Sequence, residues 1–153
     1  MMGINKKLLT LRQKPETMEK KNLIEEAYRY VENARDTLKN NENYDPETGS
    51  YDDRKYVRIA GKYLWHAVVL ALDSVLQVRK DRRTRVNISD YLNAVEEKDK
   101  KLWILVFNGD QILNLSMGYD GILDKEMCDE GFRITNDIIE RCAMMVNAVR
   151  YGQ

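Results

Sequence analysis

The single histidine of this 153-residue chain, His66, limits its chemistry before any fold is considered. A His–His metal site within one chain is excluded, and a Glu-x-x-His pairing fails because Tyr63 stands three residues ahead of the imidazole. Cysteine–histidine catalysis would have to draw on Cys128 or Cys142, which fall on an apolar helical stripe where a thiol stays protonated. Neither a GxxxxGKS/T phosphate loop, a GxGxxG dinucleotide fingerprint nor a GxSxG nucleophile elbow occurs. The adjacent acids Glu25–Glu26, Asp52–Asp53 and Glu96–Glu97 splay apart on a helix and read as solvated faces rather than acid–base pairs.

Two constellations remain. The first is the run RKDRRTR, where Arg79, Lys80, Arg82, Arg83 and Arg85 surround Asp81. Such a cluster can grip RNA phosphates, or it can cap the C-terminus of the preceding helix and balance the acidic loop over 42–53. The second reading is favoured, because basic and acidic side chains balance at 25 each and no aromatics interleave the cluster. The second constellation is Gly61, Gly109 and Gly131, each on the apolar face of its own helix, where glycine costs about 1 kcal/mol relative to alanine. With helices alternating up and down, the rise per residue puts all three roughly 10–15 Å from the same end. They either let helices cross closely or leave room for a small ligand beside His66. The ordinary role of His66 itself is a half-buried residue hydrogen-bonding beside Lys62.

The elements that position these residues follow from periodicity. Over Tyr56–Val78 the residues Ala60, Gly61, Leu64, Trp65, Val68, Ala71, Leu72, Val75 and Leu76 share one broad sector, leaving a narrow polar wedge of Arg58, Lys62, His66, Asp73 and Gln77. That is the pattern of a helix surrounded by others. A first helix over 18–40 starts behind Thr17, after a flexible arm over 1–16. NENYDPETGSYDD forms a solvated loop, with Ser50 or Asp52 capping the central helix. Asn87 and Asp90 open a short helix over 88–97, and 98–101 is a polar hinge. Leu102, Leu105, Val106, Gly109, Ile112, Leu113 and Ser116 keep helical period, although Asn108–Gly109 is a turn dipeptide able to kink or break it. Gly118–Gly121 is a stop, and Asp124 restarts a last helix faced by Met127, Cys128, Gly131, Ile134, Ile138, Cys142, Met145 and Val149. The fold class is therefore all-α, an antiparallel four-helix bundle over 17–153 with one additional short helix.

The cysteines are about 21 Å apart along one helix, beyond disulfide reach, and read as reduced core residues. The basic N-terminus has no continuous apolar segment, and Tyr63–Val78 is interrupted by His66 and Asp73, so a cytoplasmic protein without membrane contact is expected. Tyr28, Tyr30, Trp65 and Trp103 exceed what one four-helix core accommodates, which points to a homodimer or another protein partner.

The order of motifs resembles a known family. Ala60-x-x-Tyr63-x-x-His66-Ala67-x-x-x-Ala71-Leu72, then Gly118-Tyr119-Asp120-Gly121, then a last helix entered through Gly131-Phe132, is similar to HEPN-like helical bundles, closest to an uncharacterised family of small proteins from gut anaerobic bacteria. The resemblance spans 20–148 and implies the bundle and dimerisation. HEPN ribonucleases carry arginine, then four to six intervening residues, then histidine, on a late helix. Here Ile59, Ala60 and Gly61 hold those positions, Arg58 is one residue too far, and His66 is on a different helix. The expected function is thus a non-enzymatic binding or regulatory module with no metal or cofactor; the alternatives are an RNA-directed protein using 79–85 and a small-ligand bundle.

Overall fold

The computed structural model describes residues 2–40, 44–78 and 86–150. Five α-helices run in order: α1 (Met2–Asn40), α2 (Arg54–Val75), α3 (Ile88–Lys98), α4 (Lys100–Gly109) and α5 (Lys125–Arg150). The chain passes from α4 directly into a ten-residue π-helical segment, Asp110–Tyr119. A two-residue-per-strand antiparallel hairpin, β1 (Tyr44–Asp45) with β2 (Ser50–Tyr51), is the sheet structure of the described residues.

As its wide apolar arc requires, α2 is central. It packs against α1, α5 and the π segment, and buries Val57, Ala60, Gly61, Leu64, Ala67, Val68, Ala71 and Leu72. With α4 continuing into the π segment as one rod, these make the four-helix bundle, and α3 lies against α4 as the additional helix. Within the described residues, no helix is long and apolar enough to cross a membrane.

Several expected boundaries are corrected. The α1 backbone is helical from Met2, through the stretch expected as an arm. Lys, Leu, Arg and Gln are good helix formers. Asp53, rather than Ser50 or Asp52, caps α2, its carboxylate accepting from the Lys55 amide at 2.9 Å. Ser50 is occupied in β2, and the loop expected to be solvated is tied down: the Tyr51 amide donates to the Leu123 carbonyl at 2.8 Å and Tyr51 is buried.

The far end of α2 differs more. It stops at Val75, and Leu76 is extended. Among the described residues a cation reaches its terminal carbonyls from α3: Lys98 Nζ donates to Val75 O at 2.6 Å. Nearby the Tyr91 hydroxyl donates to Asp73 Oδ1 at 2.8 Å. Arg79, Lys80, Arg82, Arg83 and Arg85 themselves lie outside the described residues.

Asn108–Gly109 neither kinks nor breaks the rod; Gly109 keeps helical angles and the hydrogen-bond step lengthens after it. Buried positions then advance by four, through Gly109, Leu113, Met117 and Gly121. In an α-helix each four-residue step would rotate the face by about 40°. The wider turn holds it in line, which buries Met117 where a 3.6 period selects Ser116. Gly121, at φ 62°, ends the segment. Arg58 Nε donates to Tyr119 O at 3.0 Å, and Arg54 to the carbonyls of Asp120 and Gly121 at 3.3 Å, so α2 supplies the cap for the π segment.

The polar hinge is a single residue, Asp99. It is extended, ends α3, and caps α4 by accepting from the Leu102 amide at 2.9 Å. Arg141 of α5 donates to its other oxygen at 2.7 Å. Desolvation opposes ionisation of Asp99, but the Arg141 hydrogen bond and the Leu102 and Lys101 amides outweigh it and hold the carboxyl below its ordinary range. With the folded value depressed, its stabilisation is present in full above the unfolded value, about pH 3.9, and is lost as pH falls from there through the folded value. Asp99→Asn keeps a capping acceptor and removes the charge. It should cost about 1–2 kcal/mol at neutral pH and flatten the acid limb of stability, measured by denaturant titration across pH 2–7.

Candidate functional site

Of the three glycines of the sequence analysis, Gly61 and Gly131 converge on Leu113 and Met117, while Gly109 faces Ile138, seven residues beyond Gly131 on α5; protein stands against each. A Cβ on Gly61 would stand 2.8 Å from the Gly118 nitrogen, 2.8 Å from Met117 Cβ and 2.9 Å from Leu113 O. One on Gly131 would meet Met117 Sδ at 2.7 Å and Leu113 Cδ2 at 3.2 Å, and one on Gly109 would meet Ile138 Cδ1 at 3.3 Å. Leu113 and Met117, fully buried, therefore sit between α2 and α5 where a ligand was one of the two readings. Close helix crossing is what the glycines accomplish here. The Gly118 nitrogen lies in the same crossing against Gly61, while a Cβ on Gly118 would meet the Leu113 carbonyl at 2.8 Å; its place in a Gly-x-x-Gly stop disguised it as a turn residue.

His66 stands apart from this cluster. It is exposed rather than half-buried, on the side of α2 that meets α1, with its ring centroid 4.3 Å from that of Tyr30. Tyr63 continues the row, 6.0 Å from Tyr30. Arg58, the basic residue nearest a nuclease-like spacing, is committed to the Tyr119 carbonyl. Cys128 and Cys142 are buried, and burial first, then neighbouring carboxylates, pushes both thiols up to about 12. Neither can supply a thiolate at neutral pH.

The apolar surplus that suggested a partner lies elsewhere than expected. Tyr30, Trp65 and Trp103 are partly buried against the core, while Tyr28 is 39% exposed. Large apolar residues are exposed at several places, Met18, Tyr119 and Met144 among them, but Ile104 at 53%, Phe107 at 44% and Leu115 at 49% lie on one rod. Helical spacing puts Ile104 and Phe107 on one side of the rod with Trp103, whose ring stacks on Phe107 at 5.5 Å and 20°, and Leu115 follows about two turns later. The signal was present in the sequence: Leu102, Leu105 and Val106 satisfy the core, so Trp103, Ile104 and Phe107 in LWILVF are left without an inward position. Polar Lys101, Asn108 and Gln111, all exposed, border the stripe.

Comparisons with other proteins agree with this architecture. Residues 22–144 match the model of a domain of unknown function, DUF5618. A solved structure described as a protein of unknown function from Dyadobacter fermentans is 31% identical, with a TM-score of 0.71, over 80% of this chain and 94% of that one. No curated protein matches.

Two measurements check the site. Gly61→Ala meets backbone atoms on the opposing segment and should destabilise by about 1–3 kcal/mol despite its better helix propensity. Gly131→Ala meets the end of a flexible methionine and should fall within about 1 kcal/mol of wild type, both read from chemical denaturation. For the thiols, a chromogenic disulfide reagent at pH 8 should leave both cysteines untouched in the native protein and titrate two per chain in guanidinium.

Proposed function

Since the chain belongs to the DUF5618 family of domains of unknown function, we propose that it is a non-enzymatic helical-bundle binding module that works as a homodimer, paired through the exposed stripe on α4 and the π segment. Trp103, Ile104, Phe107 and Leu115 carry this reading, because a stacked aromatic pair and two aliphatic side chains facing water in one row are what a partner would desolvate. A second copy fits the charges at the ends of the row. Residue 105 lies midway between Trp103 and Phe107 and also midway between Lys100 and Asp110. A two-fold axis there, with the rods antiparallel, sets the aromatic pair of one copy on that of the other and brings each Lys100 toward the opposite Asp110. The balanced charge of the chain adds no repulsion between copies.

Within this proposal the chain is a bacterial, cytoplasmic protein and its bundle is read as HEPN-like, on the order of a central α2, a glycine stop over Gly118–Gly121 and an α5 entered through Gly131-Phe132. That order supports the association such bundles use and not their nuclease chemistry, because His66 has Tyr30 and Tyr63 for neighbours and Arg58 holds a carbonyl.

Light scattering at micromolar concentration should give twice the 18.0 kDa chain mass. Phe107→Glu, at an exposed position, should lower it to that of one chain without lowering the thermal midpoint of the monomer fold. A wild-type mass of one chain up to about 100 μM, a concentration far above the Kd of a specific dimer, would overturn the pairing.

A further inference from the structure

At the end of the bundle away from Asp99 and Arg141, the last turns of α1, the hairpin and the first turns of α5 enclose a cleft of about 360 Å³. That volume is within the range of small-molecule sites. Its floor is apolar: Leu38 and Tyr51 are buried and Phe132 is half-buried. Its rim is cationic, with Arg35, Lys39 and Lys125 against one acid, Asp129.

The rim cations are held in place. Arg35 lies over the Phe132 ring, 5.4 Å from its centroid, and pairs with Glu32. Lys125 lies 5.8 Å from the Tyr44 centroid, and its ammonium bonds Asp129 Oδ2 at 2.6 Å. Tyr44 in turn meets Tyr51 edge-on at 5.8 Å. Among the described residues Lys39 has no carboxylate partner, and with Glu32 set against Arg35 and Asp129 against Lys125 its charge is the one left over there. Burial first, then the neighbouring Cys128, Asp129 and Tyr44, pushes the Tyr51 phenol up to about 12, so it stays a hydrogen-bond donor at neutral pH. The floor is the outer edge of the core, since Leu38 and Tyr51 belong to the buried cluster and Phe132 packs against it, whereas the exposed Tyr44 ring and Lys39 at the mouth lie outside that cluster.

We infer that this cleft is a binding site for a small anionic molecule with a planar apolar body, such as an aryl carboxylate or aryl phosphate, the body resting on Leu38, Tyr51 and Phe132 and the anion facing Lys39 and Lys125. The fit follows from chemistry. A bare inorganic anion leaves the apolar floor wet, and an uncharged aromatic leaves Lys39 unpaired. The cleft lies about 18 Å along α5 from Arg141, which itself touches the α4 side of the bundle, so this site is independent of the proposed dimer face.

Amide chemical shifts of the full chain, titrated separately with phenyl phosphate, benzoate and inorganic phosphate, test it. Phenyl phosphate or benzoate should give saturable shifts confined to 35–39, 44–51 and 125–132, with a Kd on the order of 0.1–1 mM. Inorganic phosphate should bind at least about tenfold more weakly, a difference of about 1.4 kcal/mol. Phenyl phosphate tighter than benzoate marks the ligand as a phosphate ester, and the reverse order marks a carboxylate. Lys39→Glu, at an exposed position, should weaken aryl-anion binding about tenfold or more with an unchanged thermal midpoint, whereas Phe107→Glu should leave it intact. Shifts centred on 103–115, equal affinity for inorganic phosphate, indifference to Lys39→Glu, or no saturation by about 10 mM would each overturn the inference.

Discussion

The architecture depends on one close approach, where Gly61 of α2 lies against the Leu113 carbonyl, Met117 Cβ and the Gly118 nitrogen of the π segment. With a Cβ on Gly61 only 2.8 Å from the opposing nitrogen, neither rod can shift outward or inward without opening a void or a clash. The approach in turn sets where Leu113 and Met117 enter the core, and Gly131 of α5 is the recess that receives Met117. The two arginines of α2, Arg54 and Arg58, then close the open carbonyls at the end of the same segment. A π-helical run of this length is unfavourable in isolation, since such turns are ordinarily single. Its contacts with α2 and α5 on either side are what keep it in place.

Polar groups inside the bundle are few and each is accounted for. Ser74 donates to Ala71 O at 2.6 Å and Thr135 to Gly131 O at 2.7 Å. Thr135 thereby bonds back onto the very turn that takes Met117, tying the backbone at Gly131 where no side chain can. Among the described residues no buried side-chain nitrogen or oxygen lacks a partner. The Asp99–Arg141 pair joins the α3–α4 corner to α5 at a half-buried position, where a charge-assisted bond keeps more of its strength than on the open surface. By contrast the pairs Lys125–Asp129, Arg133–Glu130 and Arg133–Asp137 are exposed and local to one helix, and decide little about the fold.

Function, on this reading, belongs to the surface rather than to the core. The centre of the bundle is full, its thiols are inert and its histidine is an exposed ring against a tyrosine. What distinguishes the outside is an apolar row on one side and, at the far end, an aromatic cleft rimmed by cations. The proposed pairing of two copies rests on the first and the inferred aryl-anion site on the second.

Periodicity alone was enough for the all-α class, for α2 as the central helix, for the stop at Gly118–Gly121 and for Cys128 and Cys142 as core residues, because each depends only on which side chains recur at about 3.6 residues. Asn87 with Asp90 marked the start of α3 for an equally local reason, the Asp90 carboxylate accepting from the Asn87 amide at 3.1 Å. The end of α2 was not legible, because the cation that caps it, Lys98, arrives from another helix 23 residues on. Nor was the π segment, since a four-residue burial step is stabilised by Gly61 and Gly131 across the interface rather than by anything within Asp110–Tyr119. The same holds for the cleft: Arg35, Tyr51 and Lys125 are far apart in the chain, and only the docking of the hairpin through Tyr51 onto Leu123 brings them to one mouth.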